Sequence, residues 1–314
     1  MQPLFLKPLF KERIWGGTTL KEQFGYDIPN DHTGECWAIS AHPNGPSVIK
    51  NGEFKGKTLD QLWKEHPELF AHTEGNVFPL LTKILDAGAD LSVQVHPGDD
   101  YAKKNENGEL GKTECWYIID CKEEAELIYG HNAKSKEELV SMIENGQWDN
   151  LLRRLKIKPG DFFYVPSGTI HALCEGTLVL ETQQSSDTTY RVYDYDRIGQ
   201  DGNKRELHLE KAIDVTTIPH VDGTSNQQIE QVENAEITTF VKSDFFSVYK
   251  WSVHGEAAFN QDHPFMLVSV IKGSGKLITS EESFDFEKGT HFILPAGFGG
   301  FKLDGECELI VSHI

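Results

Sequence analysis

The sequence predicts a mainly β protein built as two related domains, with short helices inserted in the first. Two observations carry this expectation. Most of the 314 residues break into short apolar runs separated by Gly, Pro, Asn and Asp, the pattern of a sandwich or barrel. A repeat then divides the chain: residues 158–168 read KPGDFFYVPSG and residues 287–297 read EKGTHFILPAG, with the glycines, an aromatic and the proline at matching offsets. The polar stretch 219–235 lacks periodicity, which places a first domain at 1–219 and a second at 220–314.

The elements follow in order. Strands are expected at 36–40 (CWAIS), 91–95 (LSVQV), 115–120 (CWYIID), 161–166 (DFFYVP) and 176–184 (GTLVLETQQ). Helical insertions are expected at about 57–72 and 135–156. In the first, Leu59, Leu62 and Trp63 follow the N-cap candidate Thr58. In the second, Ser135 and Glu138 form a capping box, Asn145-Gly146 ends the helix, and 147–155 (QWDNLLRRL) forms another. A short helix at 207–214 is also expected.

Composition narrows the function. A net charge of −19 leaves no basic face for a phosphate backbone, which argues against nucleic acid. No apolar run reaches the roughly 18–20 residues needed to span a bilayer. The N-terminal run MQPLFLKPLFKERIWGG lacks a continuous apolar core, so no signal peptide is expected. Five cysteines without metal-like spacing read as reduced thiols, and the expected location is cytoplasmic. A small anionic substrate would need local positive charge to overcome the field of the whole chain.

Residues 91–100 read LSVQVHPGDD. Ser92 to His96 alternate strictly, so Val93 and Val95 take one face and Ser92, Gln94 and His96 the other. Further on, Gly160 to His171 follows the spacing G-x5-P-x-G-x-x-H. This resembles the second motif of the cupin barrel, whose histidine faces inward onto a metal. The resemblance implies two cupin-type, jelly-roll β-barrel domains. The second repeat has Gly300 where the first has His171, so its domain is expected to carry no metal. Gln94-Val-His96 stands in place of the first motif's H-x-H. The corresponding glutamate, Glu114, comes 18 residues after His96, so 97–112 must be an inserted loop.

That departure points to one branch. QVHP, GKTECWY, PSGTIHAL and SSDTTYR, in this order, resemble the type I phosphomannose isomerases. Arg13-Ile-Trp-Gly-Gly17, Gly34-Glu-Cys-Trp37 and Phe78-Pro-Leu-Leu-Thr-Lys-Ile84 add to the match, which spans most of residues 5–200. The length is that of the compact bacterial forms.

The resemblance implies interconversion of mannose 6-phosphate and fructose 6-phosphate with one zinc per chain. Gln94, His96, Glu114 and His171 would hold the metal. One carboxylate on a dication leaves a net positive centre, able to polarise a substrate oxygen. Ser92 and Lys83 occupy the family's phosphate positions, and Glu35 belongs to the substrate-binding set. Arg191 stands where the family has its catalytic arginine, able to donate two hydrogen bonds to adjacent oxygens. Lys112 and Glu181 are both candidates for the proton shuttle, and the sequence does not choose between them. Lys83, Lys112 and Arg191 together supply the local positive charge. The expected assembly is a monomer or weak homo-oligomer.

Two other readings compete. An iron-dependent cupin oxygenase would usually present H-x-H, and Gln94 replaces one of those histidines. A non-catalytic sugar-binding cupin gives no reason for Arg191 beside an intact ligand set. Trp15-Gly16-Gly17 reads as a turn beneath an indole, and GFGGF at 297–301 as a β-turn rather than a phosphate loop. His254, His263 and His291 read as structural or surface residues.

Overall fold

The computed structural model describes residues 1–199, 202–225 and 227–314. It is mainly β, as expected, with three antiparallel sheets among the described residues. The six-stranded sheet runs, edge to edge, Phe162–Val165, Glu114–Cys121, Thr177–Gln184, Leu80–Ala87, Thr33–Ile39, Leu9–Gly17. A five-stranded sheet runs Tyr190–Tyr193, Val93–Val95, His171–Leu173, Glu126–His131, Leu152–Lys156. These two face each other across the site described below. Each sheet is an open path of strands, not the closed barrel expected: no ladder joins its two edge strands, so the layers pack as facing sheets.

The nine-stranded sheet holds the C-terminal strands from Gln228–Val232 to Gly299–His313 and also two N-terminal ones. Leu4–Lys7 pairs with His291–Leu294 on one side and with Val48–Ile49 on the other. The chain's beginning is thus hydrogen-bonded into its end. One core cluster runs through this junction, including Leu6, Phe78, Phe246, Phe265 and Ile293. Within it Phe265 is fully buried, 5.1 Å from the ring of Phe78 and 5.6 Å from that of Phe70. Phe265→Ala should therefore lower unfolding stability by about 3–5 kcal/mol in urea titrations, because the rigid rings cannot collapse into the cavity.

The two repeats share backbone as well as residues. Gly160 and Gly289 have φ of 93° and 88°, and Gly168 and Gly297 have 86° and 70°. These left-handed turns bracket the strands Phe162–Val165 and His291–Leu294, and only glycine adopts them without cost.

The expected helices form at Leu59–Glu65, capped by Thr58 and Gln61, and at Lys136–Glu144, capped by Ser135. A third spans Leu209–Val215. The stretch 147–155 differs. Only Trp148–Leu151 is helical, and Leu152–Lys156 is an edge strand paired to Glu126–His131. Its apolar residues fit either period, and the open sheet edge decided. The strand Gln228–Val232 arises inside the stretch read as aperiodic. Four of its five residues are exposed, so burial imposes no alternation on them.

Candidate metal and substrate site

Strand register builds the site. On the five-stranded sheet, His171 and Arg191 both pair with Gln94, giving a transverse row Arg191–Gln94–His171. On the facing sheet, Trp116, Glu181, Lys83 and Trp37 form a second row, each the direct cross-strand partner of the next. Direct partners stand within about 5.5 Å of each other, so each row presents its side chains side by side. The rows meet where the Trp116 and His171 rings lie 5.2 Å apart.

The alternation at 92–96 holds. Val93 and Val95 enter the core with Ile128, Leu139 and Tyr190, while Ser92, Gln94 and His96 face the other way. The insertion between His96 and Glu114, expected as a loop, contains the helix Asp99–Asn105. It is closed at its base: Lys112 N donates to Pro97 O at 2.9 Å and Gly111 N to Asp99 Oδ1 at 2.7 Å. A Cβ at Gly111 would stand 2.5 Å from Asp99 N, so only glycine permits this closure. The closure returns Lys112 and Glu114 to the side of His96.

Three donor groups then converge. His96 Nε2 lies 3.4 Å from Glu114 Oε2, and His171 Nε2 lies 3.3 Å from Glu114 Oε1. One ligand atom from each of the three lies within 4.8 Å of the others, and all three residues are buried. The tautomers follow from the outer contacts. His96 Nδ1 donates to Thr188 O at 2.9 Å and His171 Nδ1 to Thr169 O at 2.8 Å. A carbonyl only accepts, so both Nδ1 atoms carry the proton and both Nε2 atoms present lone pairs inward. Burial also pushes both imidazoles away from protonation, His96 to about 3.

Lys112 Nζ stands 3.1 Å from His96 Nε2 and 2.9 Å from Glu114 Oε2. Even so, neither Glu114 oxygen accepts a hydrogen bond of proper geometry. Burial alone would raise this carboxyl, but Lys112 holds it well below the usual range. Two inward imidazole lone pairs, met here by the Lys112 ammonium and the Gln94 amide, face one point with the buried Glu114 carboxylate, a donor set that fits a metal ion. Donor atoms about 2.1 Å from a tetrahedral ion stand about 3.4 Å apart, and each imidazole is at that spacing from one of the two Glu114 oxygens. Gln94 lies beside this set, with its amide nitrogen 3.4 Å from His171 Nε2. A half-turn of the amide would present its oxygen to the same point.

The other expected residues line a cavity of about 370 Å³ beside this cluster. Ser92, Lys83, Glu35, Gln94, Lys112, Glu181 and Arg191 all contribute to its wall. Glu181 is 3% exposed; its Oε2 accepts from Trp116 Nε1 at 2.9 Å and its Oε1 lies 3.7 Å from Lys83 Nζ. Burial, reinforced by Glu114, raises its carboxyl pKa despite the nearby lysines. Burial disfavours the charged Lys112, but Glu114 and Glu181 hold it above the ordinary lysine value. Arg191 NH1 donates to Glu206 O at 2.8 Å, while its buried Nε has no partner among the described residues.

Glu35 lines the cavity and is held there by its neighbours: Arg13 grips it with Nε at 3.1 Å and NH2 at 2.9 Å, and Trp37 Nε1 donates at 2.7 Å. Burial would raise the Glu35 carboxyl, but Lys83, Arg13 and the Trp37 N–H lower it to about 2. Its contribution to stability is therefore present above the ordinary carboxyl value and lost as pH falls toward about 2. The stability gap between wild type and Glu35→Gln should shrink by about 1 kcal/mol between pH 7 and pH 3.5, measured by urea unfolding. An unchanged gap would contradict the ionic role.

Comparisons with known proteins show what the chain resembles. Residues 4–119 match the model of the phosphomannose isomerase type I catalytic domain, and 236–314 that of the mannose-6-phosphate isomerase cupin domain. The chain is 60% identical over 313 residues to a mannose-6-phosphate isomerase of Bacillus subtilis (strain 168), covering 100% of this chain and 99% of that protein. The chain belongs to the type I phosphomannose isomerase family. A mannose-6-phosphate isomerase of Streptococcus mutans is 54% identical, with 99% of this chain and 98% of the relative covered. The crystal structure of the mannose 6-phosphate isomerase from Bacillus subtilis superposes with a TM-score of 0.99 at 61% identity, over 100% of both chains. A phosphomannose isomerase variant from Salmonella typhimurium shares the fold at 15% identity, with a TM-score of 0.80 over 99% of each chain.

Within this family's cavity, two arginines were missed by sequence reasoning. Arg13 had been noted only as part of the Arg13–Gly17 motif, and Arg205 had no motif at all. Both line the cavity with Asp187 and Thr189. Arg13 was findable, since it lies two residues before Trp15 on the same strand face. Arg205 carried no signal, because its position depends on Asp194, which it meets through the fold.

Proposed function

We propose that the chain interconverts mannose 6-phosphate and fructose 6-phosphate with one zinc ion held by Gln94, His96, Glu114 and His171. The carrying observation is the inward convergence of the His96 and His171 Nε2 atoms and the buried Glu114 carboxylate beside a cation-lined cavity. Relatives named as mannose-6-phosphate isomerases at 54–60% identity support the substrate. When bound, the zinc ion supplies Lewis-acid polarisation of the sugar oxygens, favouring the negative charge of an enediolate.

The chain's residues do the rest. Glu181 Oε1 takes the proton from C2 of the open-chain aldose and returns it to C1. Its other oxygen is fixed by Trp116, which orients the carboxylate toward the cavity. Lys112 serves the accompanying proton movement between the two substrate oxygens. Arg191, adjacent in register to Gln94, donates two N–H groups to those oxygens as charge develops. Ser92 and Lys83 bind the phosphate side of the substrate, and Glu35 acts through Arg13.

The same reading treats 1–219 as a metal-bearing cupin unit and 220–314 as a metal-free one that completes the shared core. It places the enzyme in the cytoplasm as a monomer or weak homo-oligomer. Among the described residues no helix is long and apolar enough to cross a membrane.

The experiment is a coupled assay of mannose 6-phosphate conversion before and after chelation. Activity should vanish with the chelator and return with zinc. A metal-replete protein without turnover would remove the substrate assignment. Restoration by iron with oxygen uptake would favour the oxygenase reading.

A further inference from the structure

The cavity wall carries five cations: Arg13, Lys83, Lys112, Arg191 and Arg205. Three of them already have roles in the reading above, Lys112 and Arg191 with the reacting oxygens and Lys83 on the phosphate side. Lys112 sits on Glu114, Arg191 pairs with Gln94, and Lys83 pairs with Glu181. Arg13 and Arg205 remain, and the reaction assigned above gives neither a direct contact.

Both stand at the Ser92 end. Ser92 shares a strand face with Gln94, one two-residue step away, about 7 Å along the strand. On the neighbouring strand, Arg191 pairs with Gln94 and Tyr193 with Val93, so Asp194 continues toward Ser92. Arg205 grips that Asp194 with Nε at 2.7 Å and NH2 at 2.6 Å. From the facing sheet, Ala89 N donates to Trp15 O at 3.0 Å, tying the strand of Arg13 to the segment that leads into Ser92.

Each guanidinium is anchored and still has donors to offer. A guanidinium has five N–H groups. Hydrogen bonds to described residues use three on Arg13 and two on Arg205. The anchors are saturated: Glu35 also accepts from Trp37, and Asp194 from Arg197. Both side chains are partly exposed, 32% for Arg13 and 24% for Arg205, so an anion entering from solvent reaches them first. Such pre-oriented forks suit the tetrahedral oxygens of a phosphate monoester. The step from Gln94 to Ser92 matches the sugar length between the carbonyl end of a hexose and its 6-phosphate.

We propose that Arg13 and Arg205, with Ser92 between them, clamp the substrate's phosphate and set the enzyme's preference for a phosphorylated sugar. This rests on the isomerase reading. Lys83, paired with Glu181, meets the same phosphate from the inner side.

The test uses the zinc-loaded full chain with Arg205→Gln and Arg13→Lys, which keeps a charge for buried Glu35. KM for mannose 6-phosphate should rise about 10- to 100-fold, as expected for lost hydrogen bonds to a charged group. The kcat should stay within about threefold and zinc content should not change. The inhibition constant of inorganic phosphate should rise by the same factor, and Arg205→Lys should recover part of the loss. Arg197→Gln removes the other partner of Asp194 without touching the cavity wall, and should leave KM within about threefold. Unchanged KM and phosphate inhibition in both clamp variants would overturn the proposal. So would an Arg197→Gln effect equal to that of Arg205→Gln, which would assign the change to the loop. Without wild-type turnover, calorimetric binding of mannose 6-phosphate reads the clamp alone. Weakened binding in both variants then supports it while the isomerase reading falls, and unchanged binding overturns it.

Discussion

His171→Ala should lose the bound metal and lower kcat/KM by about 10³-fold or more, since a Lewis acid contributes several kcal/mol to charge stabilisation. The argument rests on how completely the surroundings commit this ring. Its Nδ1 proton is spent on Thr169 O, its faces are packed by His96 and Trp116, and it is 1% exposed. Its Nε2 lone pair points inward, toward Glu114 and the Gln94 amide. Removing it leaves His96, Glu114 and the amide of Gln94, too few strong donors to close a tetrahedral site. Elemental analysis checks the metal and circular dichroism checks the fold. Retention of one ion per chain by His171→Ala would show the ligand set to be wrong.

Arg191→Ala should lower kcat by about 10²- to 10³-fold while the metal stays in place, the usual cost of removing one pre-oriented donor from developing charge. The backbone does not depend on this side chain. Arg191 N donates to His208 Nδ1 at 3.1 Å, and Arg191 O accepts from His208 N at 2.8 Å, so the strand remains docked. What disappears is a guanidinium whose buried Nε has no partner among the described residues and whose NH1 is held by Glu206 O. Arg191→Lys should rescue little, because a point charge cannot donate to two adjacent oxygens from one plane. Full kcat in Arg191→Ala with intact zinc would take the arginine out of the chemistry.

Much of the site was legible because local rules govern it. Period-two alternation put Ser92, Gln94 and His96 on one face, and any strand built from those residues must do so. The two turns around Phe162–Val165 need glycine, and Gly160 and Gly168 are present at the spacing that aims His171 inward. Helix caps were equally local: Ser135 and Thr58 hold the first turns of their helices within their own segments.

Elsewhere the local rules were silent or misleading. The insertion after His96 contains a seven-residue helix whose only buried residue is Ala102, too weak an apolar pattern to read in advance. Leu152–Lys156 satisfies helical and strand periods alike, and only an unpaired sheet edge made it a strand. Barrel closure was expected from the resemblance to cupins, yet closure depends on whether edge strands find each other. Among the described residues they do not.

The sequence by itself determined which side chains share a face and which backbone turns are possible, because both depend on neighbours a few residues apart. Only the tertiary structure decided which faces oppose each other. It paired Trp116 with Glu181, Glu181 with Lys83 and Lys83 with Trp37 across strands distant in the chain. It placed Leu4–Lys7 in the C-terminal sheet and brought Arg13 and Arg205 to one cavity. Strand pairing between remote segments is chosen by the burial of the whole core, a sum over many residues that no short stretch contains.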